Sequence, residues 1–290
     1  MAQTRLTIAK RDIAVTVRQE RTRVFTQADI ERILRENRVN WRLAQSTTVA
    51  EFIGFLAKAV DLRHVRLEFP GRATSRYVLG EAPMLQIVQS LKPEGYFTHY
   101  TAMRLHGLTD QIPKTVYLNF EQRATGGGGA LSQDAIDRAF SRPCRVSNNK
   151  AVLGKQTIVL LNGQNTARLG VVEIESDEGA RLQVSNVERT LIDATVRPIY
   201  SGGVFEVLRA FQAAHDQVSI NKLVAMLRTL NFTYPYHQAI GFYLERSGAY
   251  RSSQIELLRK RPFEFDFYLA HAMREIEYVA SWRLFVPKGF

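Results

Sequence analysis

The chain has 290 residues, 45% of them hydrophobic and 23% charged, a composition that excludes a disordered chain and leaves ample apolar material for one large or two ordinary cores. No stretch approaches the roughly twenty apolar residues of a membrane span, and the opening residues lack the apolar block of a secretory signal, so a cytoplasmic protein with no membrane partner is expected. The lone Cys144 excludes an internal disulfide framework and a multi-cysteine zinc site, while the formal net charge of +11 points to a polyanionic partner, nucleic acid first.

The basic excess is densest at the start, where KRDIAVTVRQERTRVF precedes the first clear helix. In VFTQADIERILREN, Thr26 is a good N-cap, Phe25 and Ile30 are spaced for a hydrophobic staple, and Ile30, Ile33 and Leu34 form one stripe. TTVAEFIGFLAKAVD opens with a Thr48 to Glu51 capping box and repeats apolar residues at Phe52, Phe55, Leu56, Ala59 and Val60, which predicts a second amphipathic helix. RHVRLEFPGRATSRYVLG alternates Val65, Leu67 and Phe69, then Tyr77 and Leu79, about a Pro70-Gly71 turn; a hairpin follows, with Arg66, Arg72 and Arg76 expected on its outer face or tip.

Two helices and a basic hairpin in that order predict a winged helix-turn-helix that docks on duplex DNA. The outward face of its second helix carries Thr48, Glu51, Gly54 and Lys58, poor in the Arg, Asn and Gln that read base edges. Phosphate contacts from Arg38, Arg42, Arg63, His64, Arg72 and Arg76 are therefore expected to supply most of the affinity. Thr47, Thr48, Lys58, Arg66 and Ser75 complete the candidate DNA-binding set.

Further along, LKPEGYFTHYTAMRLHGLTDQIPKTVYLNFEQ predicts a helix capped by Thr98 and stopped by Gly107, then a strand over KTVYLNF. His99 and His106 stand about 10.5 Å apart along a helix, too far to share a metal. The TGGGG run from Thr125 to Gly129 lacks the Lys-Ser or Lys-Thr of a phosphate loop and reads as a flexible connection, after which Ser132 caps a helix over SQDAIDRAF. Cys144 lies between Arg142 and Arg145, a setting that favours a thiolate, but no histidine motif accompanies it and an unreactive thiol is expected.

VVEIESDEGARLQV gathers Glu173, Glu175, Asp177 and Glu178, acids of the kind a metal-dependent nuclease employs; no lysine follows, and a hairpin turning at Asp177 to Gly179 is the simpler reading. SNVERTLIDAT raises the same question of catalysis with Glu188, Arg189 and Asp193. Here Ser185 and Glu188 have capping-box spacing, Val187, Leu191 and Ala194 line one face, and Arg189 and Asp193 are expected to pair on the exposed side before Pro198 ends the helix. No nucleophile with an adjacent base accompanies them.

From Gly202 the pattern turns helical, with GGVFEVLRAFQAAH, SINKLVAMLRTL capped by Ser219, and YHQAIGFYLERSG closed by Gly248. The final FEFDFYL and SWRLFVPKG alternate and are expected to return as strands to the middle sheet, with Arg259, Lys260 and Arg261 in a solvated turn.

Two blocks, SLKPEGYFTHYTAMRLHGLTDQIPKTVYLN and VSNVERTLIDATVRPIYSGGVFEVLRAF, resemble the AbiEi-like antitoxins, transcriptional regulators of viral defence, and the agreement in order and spacing runs over roughly residues 24 to 250. The resemblance implies an α+β protein in two domains: a winged helix-turn-helix over residues 1–82, then an antitoxin-type mixed α/β domain over residues 83–290 with a helix-rich C-terminal lobe. It further implies a repressor that binds operator DNA of its own operon and counteracts a nucleotidyltransferase-like toxin, with no catalytic residues, metal or cofactor. The rival expectations are a metal-dependent nuclease using the Glu173 to Glu178 acids, and an adaptor whose winged helix binds protein.

Overall fold

An apolar core made wholly of residues 9–79 gathers the first seven elements. They are α1 (Arg5–Ile8), α2 (Lys10–Gln19), β1 (Val24–Phe25), α3 (Gln27–Asn37), α4 (Val49–Ala59), β2 (Leu62–Phe69) and β3 (Arg72–Leu79). The computed structural model describes residues 4–123 and 130–290, so the Thr125–Gly129 run lies outside the described residues.

Both expected caps form: the Thr26 hydroxyl accepts from Asp29 N and the Asp29 carboxylate from Thr26 N, and Thr48 and Glu51 repeat the exchange. Helix α2 has no counterpart in the sequence reading, yet it repeats Ala9, Ile13 and Val17 at four-residue intervals and buries all three. The strands form a sheet in the order β1-β3-β2.

The hairpin pairs Val65 with Arg76, Leu67 with Thr74 and Phe69 with Arg72 about Gly71, whose φ of +79° suits a tight turn. Cross-strand partners share a face. One face thus carries Val65, Leu67, Phe69, Arg72 and Arg76, and the other carries His64, Arg66, Glu68, Ala73, Ser75 and Tyr77.

A connecting helix, α5 (Met84–Gln89), leads into the second half: β4 (Tyr96–Phe97), α6 (His99–Leu105), β5 (Thr115–Gln122), α7 (Gln133–Phe140), β6 (Lys150–Leu153), β7 (Gln156–Gln164), β8 (Val171–Glu175), β9 (Arg181–Ser185) and α8 (Val187–Val196). The strands make a mixed six-stranded sheet in the order β6-β7-β5-β4-β9-β8, with β5 parallel to β7 and β4 parallel to β9. The hairpin β8-β9 is the one expected from VVEI and RLQV.

The sheet packs Phe97, Val116, Leu118, Ile158, Leu160, Leu182 and Val184 against Val88 and Leu91, and against Leu67 and Phe69 of the first hairpin. The hairpin is therefore held on one face, from Val65 to Phe69, by the second half of the chain, and its other face, its tip and Arg63 at its base reach solvent. At roughly 25 cal/mol per Å² of apolar surface, burial of Leu67 and Phe69 contributes about 2–3 kcal/mol each to that docking.

The remaining helices are α9 (Val204–Ala213), α10 (Ile220–Leu230), α11 (Tyr236–Ser247) and α12 (Ser252–Arg259), followed by β10 (Phe267–Tyr268), β11 (Ile276–Val279) and β12 (Leu284–Pro287). Ser219 caps α10, and Gly248 closes α11 at φ +68°. The three strands do not rejoin the central sheet. They form a separate sheet, β10-β12-β11, in the core of the helical lobe.

What sets them there is Trp282, fully buried and packed on Gly241 of α11, where any Cβ would clash with the indole ring. Arg259 is no solvated turn residue either: it ends α12, pairs with Glu245 and lies 4.8 Å from the Trp282 ring.

Candidate nucleic-acid interface and the buried arginine network

The expected DNA-binding residues fall into two groups with different freedom. At the turn between α3 and α4, Arg38 donates to the carbonyl oxygens of Ala44, Gln45 and Thr47, so its guanidinium holds the turn together. Arg42 is exposed, sits at φ +53°, and its carbonyl accepts from Arg5 of α1. Thr48 is exposed and spends its hydroxyl on the cap, Thr47 is half-buried, and Lys58 is exposed at the end of α4. The open face of α4 is small and smooth, formed by Ala50, Glu51, Gly54, Ala57 and Lys58.

On the hairpin, Arg66 is exposed and pairs with Glu68 at 2.5 Å. His64 bonds Ser75 at 2.9 Å and stacks on Tyr77 at 5.1 Å. Arg63 donates to the Gly80 carbonyl at the hairpin's base, and Arg72 is free at the tip.

Arg76 departs from expectation. It is 8% exposed and donates to the Ser90 hydroxyl and carbonyl and to the Ser75 carbonyl, and burial holds its pKa below the ordinary arginine value. The reason is register: Arg76 pairs with Val65, on the face that docks against the second half, so its outward placement is corrected. The candidate set also left out Arg5, together with Lys10, Arg11 and Arg18 of the basic opening segment, exposed on α1 and α2 beside the α3–α4 turn or on the same small core. The signal was the Ala9, Ile13, Val17 stripe.

The second site of interest is the ERTLIDA helix. Its N-cap is Asn186, whose side chain accepts from Arg189 N, and not Ser185. Ser185 is fully buried and shares a bond with Thr190, while Glu188 reaches away to accept from Ser219 N at the start of α10. Glu188 therefore caps another helix rather than its own.

Arg189 and Asp193 do pair, at 2.8 Å, but their side chains are only 7% and 11% exposed. Arg189 also donates to Thr166 Oγ1, Leu169 O and Tyr96 OH, and Asp193 accepts from the Thr98 hydroxyl at 2.9 Å. Burial is the largest influence and opposes the guanidinium charge, but Asp193, Tyr96 and Glu121 together outweigh it, leaving the Arg189 pKa above its ordinary value. The Tyr96 hydroxyl, pushed up by burial, donates to Glu121 and accepts from Asn119. This network ties α8, β4, β5 and the Thr166 loop together, a structural role first.

Among the described residues no group of three or more His, Cys, Asp or Glu side chains is placed to hold a metal. Glu173 and Glu175 lie on the edge strand β8, with Glu173 accepting from Gln183, and Asp177 and Glu178 lie in the turn beyond. His99 and His106 face different partners; His106 meets the Ser185 carbonyl at 2.6 Å, and burial lowers the pKa of both. Cys144 is half-exposed, and the guanidinium nearest it is Arg197, which donates to its Sγ. No helix among the described residues is long and apolar enough to cross a membrane.

Neither a protein-family model nor a curated protein matches the chain. Among solved structures the chain is similar to the crystal structure of the RV2827C protein from Mycobacterium tuberculosis, at a TM-score of 0.60 and 15% identity, over 96% of this chain and 90% of that one. The likeness extends through nearly the whole length of both proteins and is one of fold.

Proposed function

We propose that the chain is a DNA-binding antitoxin that represses its own operon and restrains a nucleotidyltransferase-like toxin, without chemistry of its own. The observation that carries the DNA half is the order helix, short strand, helix, helix, hairpin about one small core, with β1 pairing β3, an order that supports a winged helix-turn-helix reading. Helix α4 is its recognition helix and the β2-β3 ribbon its wing. The smooth face of α4 suits close approach to a groove, and Arg5, Arg42, Lys58, Arg63, His64, Arg66 and Arg72 are exposed for phosphate contact. Arg76 and Arg38 act by holding the wing and the turn in place.

Because the ribbon is docked on one face, the wing reaches DNA through the Arg66 side, the Arg72 tip and Arg63 at its base. The antitoxin half rests on the resemblance of the HGL and ERTLIDA blocks and is assigned to the region after the wing. Gel shifts on the DNA upstream of the chain's own gene test the first half: specific retardation that weakens with salt is expected, and its absence leaves the protein-binding adaptor reading in its place. Co-expression with the product of the adjacent gene tests the second half, with relief of growth arrest expected. Incubation with DNA or RNA and Mg²⁺ or Mn²⁺ is expected to leave both intact; cleavage abolished by Glu175→Gln would restore the nuclease.

A further inference from the structure

A cavity of about 690 Å³ opens between β5, β7, α8 and the loop before β6, a volume within the ordinary range for small-molecule sites. Three features of its lining point to a ligand. Arg145 and Arg197 both line it, and among the described residues neither pairs with a carboxylate; the bond Arg197 makes is to Cys144 Sγ. The Arg189–Asp193 pair in the floor is already neutralised by its own partners. Two uncompensated guanidinium groups on one concave surface favour a group carrying close to two negative charges, which a phosphate monoester supplies and a single carboxylate does not.

His99 is the second feature. It is buried at 8% exposure and held at φ +51°, and its Nδ1 has no hydrogen-bond partner. Burial brings its pKa down to about 4, so at neutral pH the ring is uncharged and offers one donor and one acceptor. A buried imidazole nitrogen without a partner is costly unless something meets it. The third feature is shape: Tyr200, which meets the His99 ring edge-on at 5.4 Å, and Phe232 and Val196 give the cavity apolar walls beside the side-chain amides of Asn119 and Asn162.

We infer that this cavity binds a nucleoside monophosphate group, with the phosphate on Arg145 and Arg197 and the base against the Tyr200 wall beside His99. The site is separate from the basic surface of the first eighty residues, and it stands or falls independently of DNA binding.

Isothermal titration of the full-length protein with AMP, GMP, CMP and UMP, and with adenosine and inorganic phosphate as partial probes, tests the assignment. At least one monophosphate is expected to bind saturably at one site and at least about tenfold more tightly than adenosine or phosphate, the usual scale for a hydrogen bond to a charged group. Arg145→Ala and Arg197→Ala are each expected to weaken it by about tenfold, and Arg72→Ala to leave it unchanged.

Val146 lines the cavity and is 50% exposed, so Val146→Trp obstructs the space without altering charge; together with the exposed Arg145 it keeps the test sound should Arg197→Ala fail to fold. The inference is overturned if none of the four nucleotides binds, if phosphate alone binds as tightly as they do, or if binding survives undiminished in both Arg145→Ala and Val146→Trp.

Discussion

Replacing Arg189 by methionine separates a buried ion pair from a surface one by magnitude alone. An exposed i,i+4 pair contributes about 0.3–0.5 kcal/mol. Here the guanidinium is nearly enclosed and makes hydrogen bonds to Asp193, Thr166, Leu169 and Tyr96 at 2.8–3.3 Å. Methionine fills much of the aliphatic volume but leaves Asp193 with the Thr98 hydroxyl as its remaining side-chain donor and strands the Leu169 carbonyl.

An orphaned buried charge of this kind costs about 3–5 kcal/mol, a large part of the 5–15 kcal/mol by which most domains are stable. Urea unfolding followed by Trp282 fluorescence in a Trp41→Phe background measures it, because Trp282 lies in the same core as α8 whereas Trp41 lies in the small N-terminal core. Arg32→Met, at a guanidinium 39% exposed that pairs with both Glu20 and Glu36, is the control and is expected to change stability by less than about 1 kcal/mol. A loss below about 1 kcal/mol for Arg189→Met refutes the buried-network account.

The β2-β3 hairpin divides its arginines by role: under the proposed DNA-binding function, Arg66→Ala with Arg72→Ala is expected to weaken operator binding and lower the slope of log K against log salt by about two, whereas Arg76→Ala lowers thermal stability through its lost bonds to Ser90; equal salt slopes in wild type and the double variant would remove the hairpin from the proposed interface. Acid should destabilise the fold through its buried histidines. Burial lowers the folded pKa of His99 and of His237 to about 4, below the ordinary 6.5, so the stability they confer is complete above pH 6.5 and is lost as pH falls toward 4. His99 faces Asp193, Arg189 and Arg197, and His237 faces Arg261 and the Pro262 carbonyl. At pH 5 each ring accounts for about 2 kcal/mol of loss, and urea midpoints for wild type and His237→Gln should converge on acidification; parallel lines contradict the assignment. Gly241→Ala, which drives a methyl into the Trp282 indole, should cost about 1–3 kcal/mol or more by calorimetry, and an unchanged melting temperature would mean that the C-terminal strands pack elsewhere.

How far the sequence carries can be followed at the two hairpins. Alternation located β2, β3, β8 and β9, and Pro70-Gly71 and Asp177 to Gly179 marked their turns. The same alternation put Arg66, Arg72 and Arg76 on the outer face or tip, yet pairing about Gly71 puts Arg72 and Arg76 opposite Phe69 and Val65, on the covered face, and Arg66 opposite Ser75. The register was within reach of the sequence. That the Val65 face would be covered by β6, α5 and the central sheet was not, because those partners arrive from residues 84–184. Likewise LFVP within SWRLFVPKG is extended as read, although Ser281 and Trp282 belong to a short 3-10 turn, and its destination depended on Gly241 leaving room for Trp282 some forty residues away.

The amino-acid order by itself determined the mixed α+β character, the capped helices and their apolar stripes, and the basic balance, since each is set by neighbours within a turn or two of the chain. Tertiary structure alone decided which charges are enclosed. Thr98 and Asp193 are 95 residues apart, and only their meeting converts an i,i+4 pair that looks solvent-facing into the centre of a buried network. Burial is a property of what packs on top of a side chain, and for Arg76, His99 and Arg189 that covering comes from segments that local pattern does not connect to them.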